Sequence, residues 1–367
     1  MSIPTDFKLS KYTARKGCFC KVQQEDLLGF LKHVSDEDIG QTDCSIQPTK
    51  FEDVFQVTSI DFFTPVVDNV YLQGRIAIAN VLSDIYSLGI TDLTTVVMVL
   101  CLCPDWDKDL LDVVAGTLMR GFSDGAKLGG VPVDGGQTTY SPWPMIGGTV
   151  MSVSHKSEII NGTHASVGDV VILTKPLGTQ PLANAMQWLW QQEESEHRRE
   201  LVASLGMTRE EIETNVARSG KWMAMLNKTA AEMMHHADAV AATDITGFGL
   251  LNHATNLMKT MQPGTLMKID RVPCMPGAIE VTQRSGFFKL LQGKAAETSG
   301  GLLVILPASK VESALDYFQE KEGYCPWVVG QIVEEGQYPW LEEGRRAGLA
   351  TDVEFFSADA EPKVDLE

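Results

Sequence analysis

The chain has 367 residues, 44% apolar and 21% charged, with a formal net charge of −18. That length accommodates two ordinary domains, each with its own core. The negative charge argues against nucleic acid as a partner. The longest apolar run, VVMVLCLC at 96–103, is far shorter than the ~20 residues a membrane helix needs. The leading MSIPTDFKLSKYTARKG has no apolar h-region, and the seven cysteines follow no framework of spacings. Both point to free thiols in a cytoplasmic, reducing setting.

Residues 1–50 are polar and irregular, and hold the pair RKGCFCKVQ at 15–23. VFQVTSI, 54–60, predicts a short strand ending in Asp61. YLQGRIAIANVLSDIYSLGI, 71–90, predicts a helix that stops near Gly89. TTVVMVLCLC, 94–103, is β-branched and continuous, as in a buried strand, which makes Cys101 and Cys103 core residues. Residues 105–130 predict a second long helix. VPVDGGQ, 131–137, and PMIGGTVMSVS, 144–154, predict strands on either side of a glycine-rich turn. After a polar break at 155–169, VVILTKPLG, 170–178, opens a second unit. Helices follow to 237, including the charged run QQEESEHRRE at 191–200, expected to be a solvated face. AVAATDI leads into a helix beginning after the glycines of TGFG, and GGLLVILP and WVVGQIVEE add strands. The class is α/β or α+β, with domains expected at 51–160 and 161–345 and a tail at 346–367.

No Walker A loop, H-E-x-x-H, G-x-S-x-G or C-x-x-C occurs. GFGLLN, 247–252, falls one glycine short of G-x-G-x-x-G, a weak signal even when complete. His235 and His236 close a helix, where dipole compensation accounts for them. The aspartates say more. Asp84 lies inside an apolar helix with Asn80 one turn earlier; Asp61 ends a strand; Asp244 precedes TGFG; Asp43 sits in GQTDCS. Each taken alone reads as a cap or a buried ion pair. Together, in a chain without a P-loop, they suggest carboxylates that hold Mg²⁺ ions, which in turn hold a triphosphate. DGGQTT, 134–139, and ETSGGLL, 297–303, let backbone N–H groups approach an anion, or are simply tight turns.

CFCK at 18–21, DFFTPVVDN at 61–69, NVLSDIYSLG at 80–89, GGQT at 135–138, LTKPLGTQ at 173–180, TDITGFGLL at 243–251 and ETSGGLL occur in one order over residues 9 to 335. In this the chain closely resembles the selenophosphate synthetases (selenide, water dikinases). The resemblance implies a two-domain fold like that of aminoimidazole ribonucleotide synthetase, with N-terminal domains pairing into a barrel in a homodimer. It implies conversion of ATP, selenide and water to selenophosphate, orthophosphate and AMP, supplying selenium for selenocysteine. By position, Cys18 matches the catalytic cysteine or selenocysteine and Lys21 the essential lysine, on an N-terminal segment that covers the ATP. Asp43, Asp84 and Asp244 match Mg²⁺ ligands, and Asp61 a carboxylate at the phosphates. Gly135, Gly136, Gln137 and Thr138 match the nucleotide-binding turn. Mg²⁺ accompanies ATP, K⁺ is a further candidate ion, and a selenium-delivery protein a candidate partner.

Two positions depart from the family pattern. Phe19 stands where the family carries glycine, and Asp43 is flanked by Thr42 and Cys44 where the family often pairs two acids. The residues by themselves leave other readings open. These are another ATP-dependent enzyme of the same fold, such as thiamine monophosphate kinase, a regulatory protein that keeps an ATP site, or a C-x-C metal store.

Overall fold

The computed structural model describes residues 3–13, 16–22, 24–31, 33, 44–336 and 346–365. Asp43 lies outside the described residues. Two units are distinguished by their internal contacts: residues up to Asn161 with Ala224–Glu232 and Asp365, and Gly162–Met223 with Met233–Val364.

The first unit begins with one-turn 3₁₀ segments at Leu9–Tyr12 and Cys18–Cys20 and helix α1, Gln24–Leu31. Strands β1 (Ser45–Pro48), β2 (Val54–Phe63), β3 (Thr95–Leu102), β4 (Val133–Tyr140) and β5 (Met145–His155) form a sheet in the order β1-β2-β5-β3-β4. All neighbours are antiparallel except β3 and β4. Helices α2 (Val70–Ser87) and α3 (Lys108–Gly129) pack on each other, and α2 lies on β2 and β5. The two helices come together through Gly74 and Gly121. A Cβ on Gly74 would sit 2.2 Å from the Leu118 carbonyl oxygen, and one on Gly121 would sit 2.1 Å from that of Tyr71. This contact fixes the lie of α2, which carries Asn80 and Asp84.

Strand β2 runs on through Asp61 to Phe63, beyond the end expected at Asp61. Its period of two then decides the site: Val57, Ser59, Asp61 and Phe63 are buried on one face, while Ile60 and Phe62 are exposed on the other. Residues 135–138 are likewise not in a turn. They lie within β4, an edge strand paired in parallel with β3. Gly136 has φ 148°, and a Cβ there would come within 2.0 Å of the Met98 carbonyl oxygen, so the glycine serves close strand approach.

The second unit holds β6 (Val170–Leu173), β7 (Ala241–Asp244), β8 (Thr265–Cys274), β9 (Leu302–Leu306), β10 (Trp327–Glu334) and β11 (Ala347–Ser357), in the order β11-β8-β10-β6-β9-β7. Helices α4 (Thr179–Gln191), α5 (Glu196–Ser204), α6 (Arg209–Ala224), α7 (Lys228–His236), α8 (Gly249–Thr260), α9 (Ala278–Ser285) and α10 (Val311–Glu322) connect them, α6 and α7 straddling the division between units. Strand β8 has no counterpart among the expected elements, because Lys268, Asp270, Arg271 and Pro273 interrupt its apolar pattern. Residues 347–357, expected as a tail, pair in parallel with β8 instead. Among the described residues, no helix is long and apolar enough to cross a membrane.

Candidate active site

In the first unit, the C-x-C segment is joined to the strand that carries Asp61. Gly17, at φ 50°, donates its N–H to the Thr64 carbonyl at 2.9 Å. The positive φ suits glycine and turns the chain into the Cys18–Cys20 turn. Cys18 is fully buried, and its thiol donates to Asn80 Oδ1 at 3.4 Å. Asn80 Nδ2 donates to Asp61 Oδ2 at 2.5 Å, and Lys21 Nζ donates to that same oxygen at 2.9 Å. One turn along α2, Asp84 Oδ2 accepts from the Ser59 hydroxyl at 2.5 Å. Cys18, Lys21, Asp61 and Asn80 thus form one linked set, with Asp84 and Ser59 beside it on the same strand and helix.

The electrostatics follow from this packing. Burial works against charge on Lys21, but Asp61, Cys18 and Asp84 outweigh it and hold the amine well above the ordinary lysine range. Lys21 therefore remains a cation on the same carboxylate that Asn80 ties to the Cys18 thiol. The two cysteines are not equivalent: Cys20 is only half-buried and, among the described residues, takes no part in the network.

Asp244 closes β7 in the second unit and is buried. The chain beyond it is stitched to the ETSGG loop: Ile245 N–H donates to the Gly301 carbonyl at 3.0 Å, and Glu297 N–H to that of Thr246 at 2.9 Å. Lys175 Nζ donates to the Ser299 carbonyl at 3.0 Å. Burial pulls its amine down to about 7, opposed by the charges of Asp244 and Glu322. Glu297 accepts from Gly178 N–H and Thr179 N–H, each at 2.8 Å, and from the Thr179 hydroxyl at 2.5 Å. Burial raises its carboxyl to about 7 against those hydrogen bonds. Sequence reasoning assigned no role to Ser59, Lys175 or Glu297. Ser59 was accessible in principle, since it stands two residues before Asp61 on the same strand face. Lys175 and Glu297 lie within the runs LTKPLGTQ and ETSGGLL, but nothing local marks either side chain as buried.

Gly135, Gly136, Gln137 and Thr138 stand on β4, three strands from β2 in the sheet order. At the usual strand spacing that is about 14 Å across the sheet. Among the described residues, no three His, Cys, Asp or Glu side chains form a metal-holding group by themselves. Asp61 and Asp84 do offer an oxygen donor set from facing elements, and the hydrogen bonds from Lys21 and Asn80 to Asp61 fall on Oδ2. One or two carboxylates completed by phosphate oxygens is the arrangement Mg²⁺ prefers.

Comparison with known proteins identifies the family. The AIR synthase related protein N-terminal domain matches residues 42–154, and the corresponding C-terminal domain matches 166–339. A selenide, water dikinase of Trypanosoma brucei brucei is 41% identical, the match covering 93% of this chain and 88% of that one. The chain belongs to the selenide, water dikinase family. A selenide, water dikinase of Leishmania major is 37% identical over 94% of this chain and 92% of that one. The human selenide, water dikinase 2 is 37% identical over 92% and 82%. Among solved structures, thiamine monophosphate kinase from Aquifex aeolicus superposes with a TM-score of 0.62 at 15% identity, covering 91% of this chain and all of that one. Hydrogenase maturation protein HypE in complex with ATP gives 0.59 at 16%, covering 95% and 96%. At such identities the family shares the two-domain α/β fold with these proteins, and the likeness speaks for the fold alone.

Proposed function

We infer that this chain makes selenophosphate from selenide at the expense of ATP, releasing AMP and orthophosphate, and so supplies selenium for selenocysteine. The observation that carries this reading is the linked set Cys18–Asn80–Asp61–Lys21. It holds a thiol and a cation about one carboxylate, with Asp84 one helical turn from Asn80, in a member of this family.

The residues divide the work. Lys21 neutralises phosphate oxygens and favours the Cys18 thiolate. Asn80 orients both the thiol and Asp61. Residues 135–138 lie across the sheet at a separation that an extended nucleotide spans. Asp84 and Asp61 would hold Mg²⁺, whose contribution when bound is to offset charge on the transferring phosphoryl groups. The roles that the resemblance gives to Asp43 and Asp244 as further ligands belong to the same proposal. The exposed apolar face of β2 and β5, with Ile60, Phe62 and Val153, supports a homodimer formed through the sheets; light scattering should give the mass of two chains.

The test is anaerobic turnover of the purified chain with ATP and Mg²⁺, with and without selenide. AMP should form in a selenide-dependent way. Cys18→Ser should lose that dependence while keeping residual ATP hydrolysis, because a serine hydroxyl stays protonated. Cys20→Ser should keep most of the activity. Equal loss in the two variants would replace the single thiolate with a cysteine pair, and AMP formation indifferent to selenide would sink the reading.

A further inference from the structure

Lys16 is a buried lysine for which the chemistry above has no use. It is 3% exposed, and its Nζ donates to the Thr13 carbonyl at 2.8 Å and to the Ser10 carbonyl. These carbonyls belong to the one-turn segment Leu9–Tyr12 and its C-cap, where helical donors have run out. Ser10 N–H in turn donates to Asp68 Oδ1 at 3.0 Å. Asp68 sits in the loop between β2 and α2, which Gln73 Oε1 holds by accepting from Val66 N–H and Val67 N–H at 2.8 and 3.3 Å. Phe7 and Tyr12 meet Trp106 edge-on at centroid distances of 5.8 and 5.3 Å, and Leu9 is wholly buried. The chain is therefore fastened before it reaches Gly17, and Cys18 follows immediately.

We propose that Lys16 is a positioning residue for Cys18 and Lys21. Its ammonium gathers the carbonyls of the 9–13 turn, so that the chain enters the Gly17–Thr64 bridge in the register that sets Cys18 against Asn80 and Lys21 against Asp61. The consequence for turnover rests on the function proposed above; the positional claim does not. Burial works against the charge and pulls the Lys16 amine down to about 8 in spite of the Asp68 charge, so the two carbonyls of the turn are what the cation serves. What an apolar side chain cannot do is tie two carbonyls of the turn to the residue next to Gly17.

The experiment uses the full chain and reads iodoacetamide labelling of each cysteine by peptide mass spectrometry, with exposed Cys325 as the reference and buried Cys101 as the control. Lys16→Met is expected to raise Cys18 labelling about tenfold or more relative to Cys325 through local opening, with Cys101 labelling unchanged and a small fall in the thermal midpoint from the carbonyls left without their donor. Selenide-dependent AMP formation should fall about tenfold or more in kcat, with a smaller change in the KM for ATP, as misplacement of a reacting group does. Asp68→Ala cuts the same tie at its other end and should raise Cys18 labelling likewise. Wild-type Cys18 labelling in both variants overturns the proposal, as does a parallel rise at Cys101, which would mean general loosening. Increased Cys18 labelling with undiminished turnover upholds the positioning and counts against a catalytic Cys18 instead.

Discussion

The ionisable cluster around Asp61 in the first unit and the one around Glu297 in the second are held in different ways. In the first, Asp61, Asp84 and Lys21 come from a strand, a helix and the N-terminal segment, and Asp61 and Lys21 bond to side chains. Lys21 remains 32% exposed. In the second, Glu297 and Lys175 are sealed from solvent, and the bonds that hold them run largely to backbone: Gly178 and Thr179 N–H for the acid, the Ser299 carbonyl for the amine. A carboxylate surrounded by the N–H groups that begin α4 is fixed in place and serves the fold. A carboxylate shared between an asparagine and a half-exposed lysine can exchange partners with an incoming phosphate or cation. Burial alone does not separate the two cases, since both acids are nearly inaccessible. The nature and exposure of the partners does.

The strongest way to break this contrast is to remove charge from the first unit without changing its shape. Asp84→Asn keeps an oxygen for the Ser59 hydroxyl, so the fold should persist. Loss of the anion should lower selenide-dependent AMP formation on the order of 10²-fold or more at saturating Mg²⁺. Circular dichroism and the thermal midpoint serve as the control. Wild-type turnover in this variant would mean that Asp84, for all its proximity to Asp61, is another scaffold acid.

Glu297 should behave in the opposite manner, affecting stability and its pH dependence. Its folded carboxyl is raised from the ordinary 4.5 to about 7. Between those values the folded state binds more protons than the unfolded one, so this group's contribution is fully present below 4.5 and is lost as pH rises through about 7. Glu297→Gln removes the titration. The stability of the wild type relative to the variant should therefore fall between pH 4.5 and 7, by about 3 kcal/mol at most. Urea unfolding of both proteins at pH 5 and pH 7.5 measures it; a wild-type-minus-variant difference that stays flat or rises with pH would show that Glu297 is ionised throughout.

The contrast was only partly legible in the sequence. α2, β3 and α3 are written in local patterns: an apolar helix closed near Gly89, a β-branched run, and a helix stopped at paired glycines. Asp84 stood out because an acid in an apolar helix needs a partner. Its partner did not, because Ser59 is on another element and only the β2 alternation brings it there. Asp61 reads as the last residue of its strand, since SIDFF looks like a boundary until the sheet pairing of Phe62 with Gly147 and of Phe63 with Ile146 is seen. VPVDGGQ reads as a strand running into a turn at its paired glycines, yet the strand continues to Tyr140 and needs Gly136 where it lies against the Met98 backbone. In the second unit, neither Lys175 nor Glu297 announces itself, since each is satisfied by loops more than a hundred residues away in the chain. Long-range backbone hydrogen bonds leave no periodic trace.

The smallest expected effect sharpens the comparison from within the first unit, by testing a polar residue that is scaffold although it borders the site. Asn69 caps α2: its Oδ1 accepts from Leu72 N–H at 3.0 Å, and its backbone is extended at φ −64°, ψ 108°. It lies between Asp68 and the helix that carries Asn80 and Asp84, and falls within the family-like run DFFTPVVDN. Asn69→Ala leaves one N–H at the helix start without its acceptor and should cost about 1 kcal/mol in denaturant unfolding, while Asn69→Asp, which can also cap, should cost less. Turnover should stay near wild type in both. The reason is that α2 does not depend on its cap for position: Gly74 and Gly121 lock it to α3, and almost every residue from Val70 to Tyr86 is buried. If Asn69→Ala lost activity as severely as Asp84→Asn while stability changed by only this amount, the partner-based division between site and scaffold would fail at the residue where it is most closely drawn.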